Sequence, residues 1–572
     1  MPDSLIPAPL ARLRQQRTAP LILELDLTEG VSESRPADPV SALTARNKAV
    51  LPDILDALRR ARLDSRVSVL IARVGGRGIG LAAVQELRRA VRELADAGKL
   101  AIAWADSFGE FSAGNVQYYL ATAFDELWLQ PSGDLGLTGI AAERVFLRGA
   151  LDKVGADFQV AKRQEFKSAA EQLTERGYSE PAREATQRLT ASITEQLADA
   201  IGARRGLAAE QVRSLIDAGP FLATQARAHG LVDHLGYRDE VYAAARKHAG
   251  PDAALQYLGR YQRGKVLAER ARKTARNPVG RRHEPVVALI FATGPIRRGR
   301  SGRSPLGGSM GSDTIAHAIR TAAQDDLVRA ILLRVNSPGG SYVASDTIWR
   351  EVVRARAGGM PVVVSMGDVA ASGGYYISMA ADVIVAQPGT VTGSIGVLTG
   401  KPVLGEALSR VGITSDLVTQ GAHAAMFSPQ RPFSKDEWAL VNDWLDHIYA
   451  DFTGKVAEGR GMTQPQVHEL ARGRVWTGAD AHERGLVDEL GGLDRAATIA
   501  RKRAGLPGSA ELRVYPRSRP LDRLRPASSS QSATAAGASL LADAWGPVSQ
   551  LAARVGLGPH GPLMLPGTWT FE

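Results

Sequence analysis

Two hydrophobic patterns alternate along the chain. Short, largely apolar runs at residues 21–27 (LILELDL), 67–72 (VSVLIA), 100–104 (LAIAW) and 125–130 (DELWLQ) have the length of strands buried in a parallel sheet. Between them, residues 50–63 and 81–97 carry apolar side chains at helical spacing. The alternation returns later, with 286–291 (VVALIF), 330–333 (AILL) and 361–364 (PVVV) as strands. Strand and helix in turn predict an α/β fold.

The second half repeats the first. Residues 123–140 (AFDELWLQPSGDLGLTGI) align without a gap to 380–397 (AADVIVAQPGTVTGSIGV), at an offset of 257 that also pairs Gly155 with Gly412. AHGLVDHLG at 228–236 matches ERGLVDELG at 483–491, and DSRVSVLIARV at 64–74 matches DDLVRAILLRV at 325–335. A tandem duplication with small insertions follows. It divides the chain into a polar leader (1–20), a first αβ repeat (21–258), a basic linker expected to be partly helical (259–285), a second αβ repeat (286–515) and a flexible linker with an apolar tail (516–572). Residues 294–312, rich in Gly, Ser and Arg, are expected to form a mobile loop, and 540–556 two short helical pieces.

Composition narrows the chemistry. A chain of 572 residues is too long for one core, and 44% apolar with 23% charged residues is the make-up of a soluble globular protein. The absence of cysteine excludes disulfides, thiolate catalysis and cysteine-held metals. No apolar stretch reaches about 18 residues and the start lacks an apolar signal core, so neither a membrane span nor a secretory signal is expected. The net charge of +10 would suit an anionic membrane surface, but the arginines are scattered among acids, as on a solvated face; no nucleic-acid partner is expected. Glycines at 75–80 have no GKS/T after them, and no cluster has metal-ligand spacing, so neither cofactor nor metal is expected.

The densest chemistry lies at residues 361–396. The strand ends in Ala371-Ser372-Gly373-Gly374, and the apolar stretch Tyr375-Tyr376-Ile377 follows as a short helix. The glycines permit a sharp bend and close approach of a substrate backbone, and a helix dipole would favour an activated hydroxyl at Ser372. Upstream, Asn336-Ser337-Pro338-Gly339-Gly340-Ser341 follows another strand, as a loop presenting amides to an oxyanion would.

Together, NSPGGS and GDVAASGGYYIS resemble the signal peptide peptidase A family of bacterial serine peptidases, in its long two-repeat form, over residues 21–515. The resemblance implies a tandem pair of Clp/crotonase-like αβ superhelical domains sharing one active site. It implies Ser372 as nucleophile, a lysine as general base at Lys167 in VAKRQEFKSAA, and a second serine, Ser394, holding that lysine. It also implies peptide substrates derived from membranes, such as cleaved signal peptides, and a homo-oligomer of ring-like, tetrameric type. Several long-form relatives carry an N-terminal anchor, from which this chain departs; with no span found, a peripheral place on the cytoplasmic face of a membrane is the expectation.

The duplication agrees with a divided site. The first copy has Asn115 where the second has Ser372, and Leu137 in place of Ser394; the second has Ala424 in place of Lys167. A lysine activates a serine only when neutral, and burial lowers its pKa; Phe166, Ala169 and Ala170 supply apolar surroundings. The amides of Gly340 and Gly373 are candidates for the oxyanion hole, with Gly339 as the alternative. His423 has no Asp partner at a fitting spacing, and Asp233 and Asp488, recurring in both copies, suit a turn or cap. Two rivals remain at this level: acyl-CoA chemistry on the same fold, and a non-catalytic scaffold.

Overall fold

The computed structural model describes residues 19–34, 48–76, 78–276, 284–304, 307–516 and 563–564. The described residues form two compact units: those within 19–141 and 193–276 make one, those within 142–192 and 284–516 the other. The expected helical pieces in residues 540–556 and most of the tail lie outside the described residues.

In the first unit a six-stranded sheet runs in the order His234–Leu235, Glu126–Leu129, Leu100–Ala105, Val67–Arg73, Leu21–Asp26, Ala254–Tyr257. All its pairings are parallel. The helices Leu51–Leu63 and Leu81–Ala95 bury Ile54, Leu58, Val84, Leu87 and Val91 in its core. Alternate strand residues, among them Ile22, Val69, Ile71 and Ile102, fill a second apolar layer with Val241 and Ala245.

The second unit repeats that order with Glu489–Leu490, Val383–Ala386, Val362–Ala371, Val328–Ser337, Val286–Thr293 and Leu512–Tyr515. It adds Val391–Gly393, which is parallel to the end of Val362–Ala371 and antiparallel to Val475–Thr477. Identical strand order carries the duplication from sequence into topology, and side chains carry it further. Tyr118 Oη donates to Leu231 O at 2.8 Å, and Tyr375 Oη to Leu486 O at 2.9 Å. Asp233 accepts from Leu127 N and pairs with Arg205; Asp488 accepts from Ile384 N and pairs with Arg460. These aspartates therefore staple a strand edge to a helix rather than cap a turn.

The strands of the second unit outrun their apolar cores. Val328–Ser337 continues through Arg334, which is buried and donates to Ser365 Oγ at 2.9 Å and Met366 O at 3.1 Å, so a partnered polar residue is tolerated there. Residues 294–312, expected as a loop, contain the strands Ile296–Arg297, Gly302–Ser304 and Gly307–Gly311. Glycine lets these backbones meet: a Cβ on Gly311 would lie 2.1 Å from Arg300 C. The basic stretch from 259 continues a helix, Leu258–Arg276, in which Lys265 pairs with Asp64 at 2.6 Å.

Candidate active site

Ser372 follows directly on the Val362–Ala371 strand, and the helix Gly373–Tyr376 begins at the next residue. Its backbone takes φ 56° and ψ −114°, a region costly for a residue with a Cβ, on the order of 1–3 kcal/mol. Two hydrogen bonds hold it there: Ser372 N donates to Gly393 O at 2.8 Å, and Tyr376 N donates to Ser372 O at 2.9 Å. The following helix is a single turn, so its dipole contributes less than the sequence suggests.

Both glycines after the serine are demanded by space. A Cβ on Gly374 would stand 2.5 Å from Ser337 O, and one on Gly373 3.0 Å from Gly339 Cα and 3.1 Å from Gly340 N. The serine turn and the Ser337-Pro338-Gly339-Gly340 loop are therefore in direct contact. Gly339 N donates to Ser337 Oγ at 3.2 Å, so its amide is already engaged. Gly340 pairs with Ile296 and has room for no side chain, since a Cβ would meet Ile296 O at 2.1 Å. Gly373 N is the first amide of its helix and has no acceptor within it. Gly339, Gly340 and Gly373, the three candidates for an oxyanion hole, thus lie together at the serine turn.

Lys167 reaches this turn because residues 142–192 fold into the second unit. The strand Asp157–Lys162 pairs antiparallel with Leu398–Val403 over six residues. Arg163 N then donates to Val397 O at 2.9 Å, its guanidinium grips Asp446 and Asn442, and Phe166 N donates to Arg472 O at 3.1 Å. Gly473 leaves the space that the lysine backbone fills; a Cβ there would fall 2.5 Å from Lys167 N. These anchors escaped the sequence reading, because nothing in the motif marks partners some 280 residues away in the chain.

The lysine amine lies 2.9 Å from Ser372 Oγ, 3.0 Å from Ser394 Oγ and 3.1 Å from Ser394 O. Lys167 is 1% exposed, and Ser372 and Ser394 are fully buried. Desolvation pushes its pKa well below the ordinary 10.5, and among the described residues no carboxylate pairs with the amine. Ser394 is fixed by its own donation from N to Arg474 O at 2.7 Å, directly after the Val391–Gly393 strand. The structure therefore brings together Lys167, Ser372, Ser394, Gly340, Gly373 and Gly339, whereas His423 is exposed.

A polar cluster beneath the serine was not visible in sequence. Tyr376, on the turn of helix after Ser372, donates to Asp451 at 2.8 Å and Asp346 at 3.0 Å, and Lys455 binds both carboxylates. Two further helices, Tyr342–Ala357 and Lys435–Arg460, are tied to the serine's helix in this way. In the first unit, Asn115 occupies the place of Ser372, fully buried, with Oδ1 accepting from Thr138 N and Gly139 N and Nδ2 donating to Gly139 O. Its amide satisfies the backbone of the loop it faces and leaves no free nucleophile.

A strained, buried serine beside a buried amine has the geometry that acyl transfer by a serine peptidase requires. The model of peptidase family S49 matches residues 93–252 and 354–507, and the chain belongs to that family. It is a serine endopeptidase of the signal peptide peptidase type, with the duplicated α/β architecture of the long form. It is 32% identical over 473 residues to the chloroplastic serine protease SPPA of Arabidopsis thaliana, covering 82% of this chain and 68% of that protein. Protease 4 of Salmonella typhi is 34% identical over 463 residues, covering 79% of this chain and 72% of the relative. Protease 4 of Haemophilus influenzae is 32% identical over 456 residues, covering 78% and 72%. Among solved structures, a mutant ClpP1 from Listeria monocytogenes aligns to 36% of this chain with a TM-score of 0.24 and 15% identity. Family membership sets aside the thioester and scaffold readings.

The depressed lysine makes stability depend on pH in a definite direction. Between the lowered folded pKa and the ordinary 10.5, the unfolded chain binds a proton that the folded chain does not, so stability gains with rising pH across that window. Lys167→Met removes the term. The difference in melting temperature, wild type minus variant, is expected to grow more positive from pH 6 to pH 10; a difference that stays flat would mean the amine is not desolvated.

Proposed function

We propose that Ser372 and Lys167 form a catalytic dyad that cleaves peptides derived from membranes, such as cleaved signal peptides. The first repeat supplies the base and the second the nucleophile and oxyanion loop. What carries this reading is the 2.9 Å approach of Lys167 Nζ to Ser372 Oγ in a buried site.

With the amine neutral, its lone pair accepts the Ser372 hydroxyl proton while its two N–H groups donate to Ser394 Oγ and O. Oγ attacks the scissile carbonyl, the C–O bond forms, and the oxyanion is received by Gly340 N and Gly373 N. Collapse breaks the C–N bond, and the Lys167 ammonium returns its proton to the leaving amine. Water, deprotonated by the same amine, then hydrolyses the acyl-enzyme and restores Ser372. Ser394 keeps the amine aimed, and its removal leaves the base present but loosely held.

Phosphonylation by a fluorophosphonate probe at pH 8 tests these roles. Ser372→Ala is expected to abolish labelling and Lys167→Ala to slow it by at least about 100-fold, the usual range for a general base. Ser394→Ala should slow it by about tenfold, a smaller loss expected of a group that only orients the base. Labelling that persists at the wild-type rate in folded Lys167→Ala would refute the dyad.

The same reading includes a homo-oligomer of tetrameric type, peripheral on the cytoplasmic face of a membrane. In its support, no helix among the described residues is long and apolar enough to cross a membrane, and Ile413, Leu417, Val418 and Trp444 stand exposed. The net charge of +10 would draw the chain to anionic lipid. Light scattering is expected to give a mass several times 60.9 kDa, and anionic liposomes to carry the protein down on sedimentation. A monomer that stays in the supernatant would overturn both points.

A further inference from the structure

The two copies differ at the nucleophile position in backbone as well as in side chain. Ser372 precedes its helix at φ 56° and ψ −114°, whereas Asn115 is already the first residue of its own, in ordinary helical backbone. A strained residue persists only where its surroundings over-determine it, so the second copy needs a restraint that the first can do without.

Such a difference lies one helical turn on, at Tyr376. Its side chain is fully buried, with the hydroxyl 2.8 Å from Asp451 Oδ2 and 3.0 Å from Asp346 Oδ1 and accepting from Lys455 Nζ at 2.8 Å. Lys455 also binds Asp346 at 2.6 Å and Asp451 at 2.9 Å. Asp346 is the fifth residue of the helix Tyr342–Ala357, and Asp451 the seventeenth of Lys435–Arg460. The fifth residue of Leu81–Ala95 is Gln85, and the seventeenth of Glu180–Arg205 is Gln196. These two meet as a neutral pair, Gln85 Nε2 donating to Gln196 Oε1 at 2.9 Å, and Ala200 stands in the place of Lys455. Tyr119, the counterpart of Tyr376, has the Arg88 guanidinium 3.9 Å from its ring instead. The same two helices are thus joined at the same point in both copies, and a glutamine pair suffices for the fold. The second copy adds charge and a tyrosine hydroxyl beside the strained serine.

We propose that Tyr376, held by Asp451, Asp346 and Lys455, is a positioning residue that keeps Ser372 in its strained, reactive backbone. The proposal rests on the reading of Ser372 as the nucleophile. The link is short: Tyr376 N donates to Ser372 O at 2.9 Å, so pinning the tyrosine pins the serine carbonyl. Gly373 N, the first amide of the same turn, is fixed with it. Hydrogen bonds to charged groups suit a restraint, being shorter and roughly twice as strong as neutral ones. Burial, together with the Asp451 and Asp346 carboxylates, pushes the Tyr376 hydroxyl far above its usual range, so it stays protonated and able to donate. Lys167 is anchored separately, through the Asp157–Lys162 strand, Arg163 and Gly473, so loosening the tyrosine leaves the base where it is.

Phosphonylation of the full-length chain, followed from pH 6 to pH 10, tests this. Tyr376→Phe removes one oxygen from the cluster and is expected to slow labelling by about tenfold at every pH, with the midpoint of the profile unmoved. Asp451→Ala cuts the same link from the other side and is expected to slow labelling as much, while Asp451→Asn, which keeps an acceptor, restores most of the rate. Gln85→Leu, the matched change in the first copy, is expected to lower the melting temperature and leave the rate unaltered. A wild-type rate in folded Tyr376→Phe or Asp451→Ala, a shifted midpoint, or an equal slowing in Gln85→Leu would overturn the proposal and leave the cluster as a support of the fold alone. These variants all keep Lys167. A failure of the dyad therefore appears as wild-type labelling of Lys167→Ala, and a failure of the positioning role appears here.

Discussion

The site depends on one constraint: a lysine amine has to be buried without a carboxylate near it. A paired Lys167 would be an ammonium, holding the proton it is meant to accept. Desolvation lowers its pKa, and its hydrogen-bond partners are the Ser372 and Ser394 hydroxyls and the Ser394 carbonyl, which orient the amine without charging it. The surrounding fold then has to deliver a long, flexible side chain into a dry place. It does so by anchoring both sides of the lysine: the Asp157–Lys162 strand and Arg163 before it, and the contact with Gly473 at the residue itself. Strain at Ser372 and Ser394, both at positive φ, is the cost of aiming two hydroxyls at one nitrogen.

Duplication explains how such a site could arise. Both units keep the same strand order, the tyrosine that closes onto a backbone carbonyl and the aspartate that staples a strand to an arginine. They differ where chemistry resides. Asn115 bonds to its own loop in the first unit, while its counterpart Ser372 is left facing an amine contributed by residues that precede the second repeat in sequence. A scaffold repeated twice was thus free to lose the nucleophile in one copy and the base position in the other.

Much of this was legible in the sequence because its signals are local. Unbroken apolar runs gave the strands, glycines after Ser372 gave the turn, and the constant offset between copies gave the duplication. The long-range parts were not legible. Arg163 with Asp446, Gly473 against Lys167, and the Tyr376, Asp346, Asp451 and Lys455 cluster join residues far apart in the chain, and no spacing rule links them. Residues 294–312 were misjudged for a related reason: glycine-rich strands pair through backbone alone, so their side chains leave no pattern to detect. The hydrogen bond from Gly339 N to the Ser337 hydroxyl was equally hidden, because its direction is set by the folded loop.

The central claim is that Lys167 is neutral, and acts as a base, under conditions where an ordinary lysine is charged. The pH dependence of Ser372 phosphonylation tests it most directly. A rate that rises through a single deprotonation with its midpoint well below 10.5, and a profile that loses this step in Lys167→Ala, are the predicted results. A wild-type rate that climbs only with hydroxide concentration, or the same midpoint in the lysine variant, would contradict it.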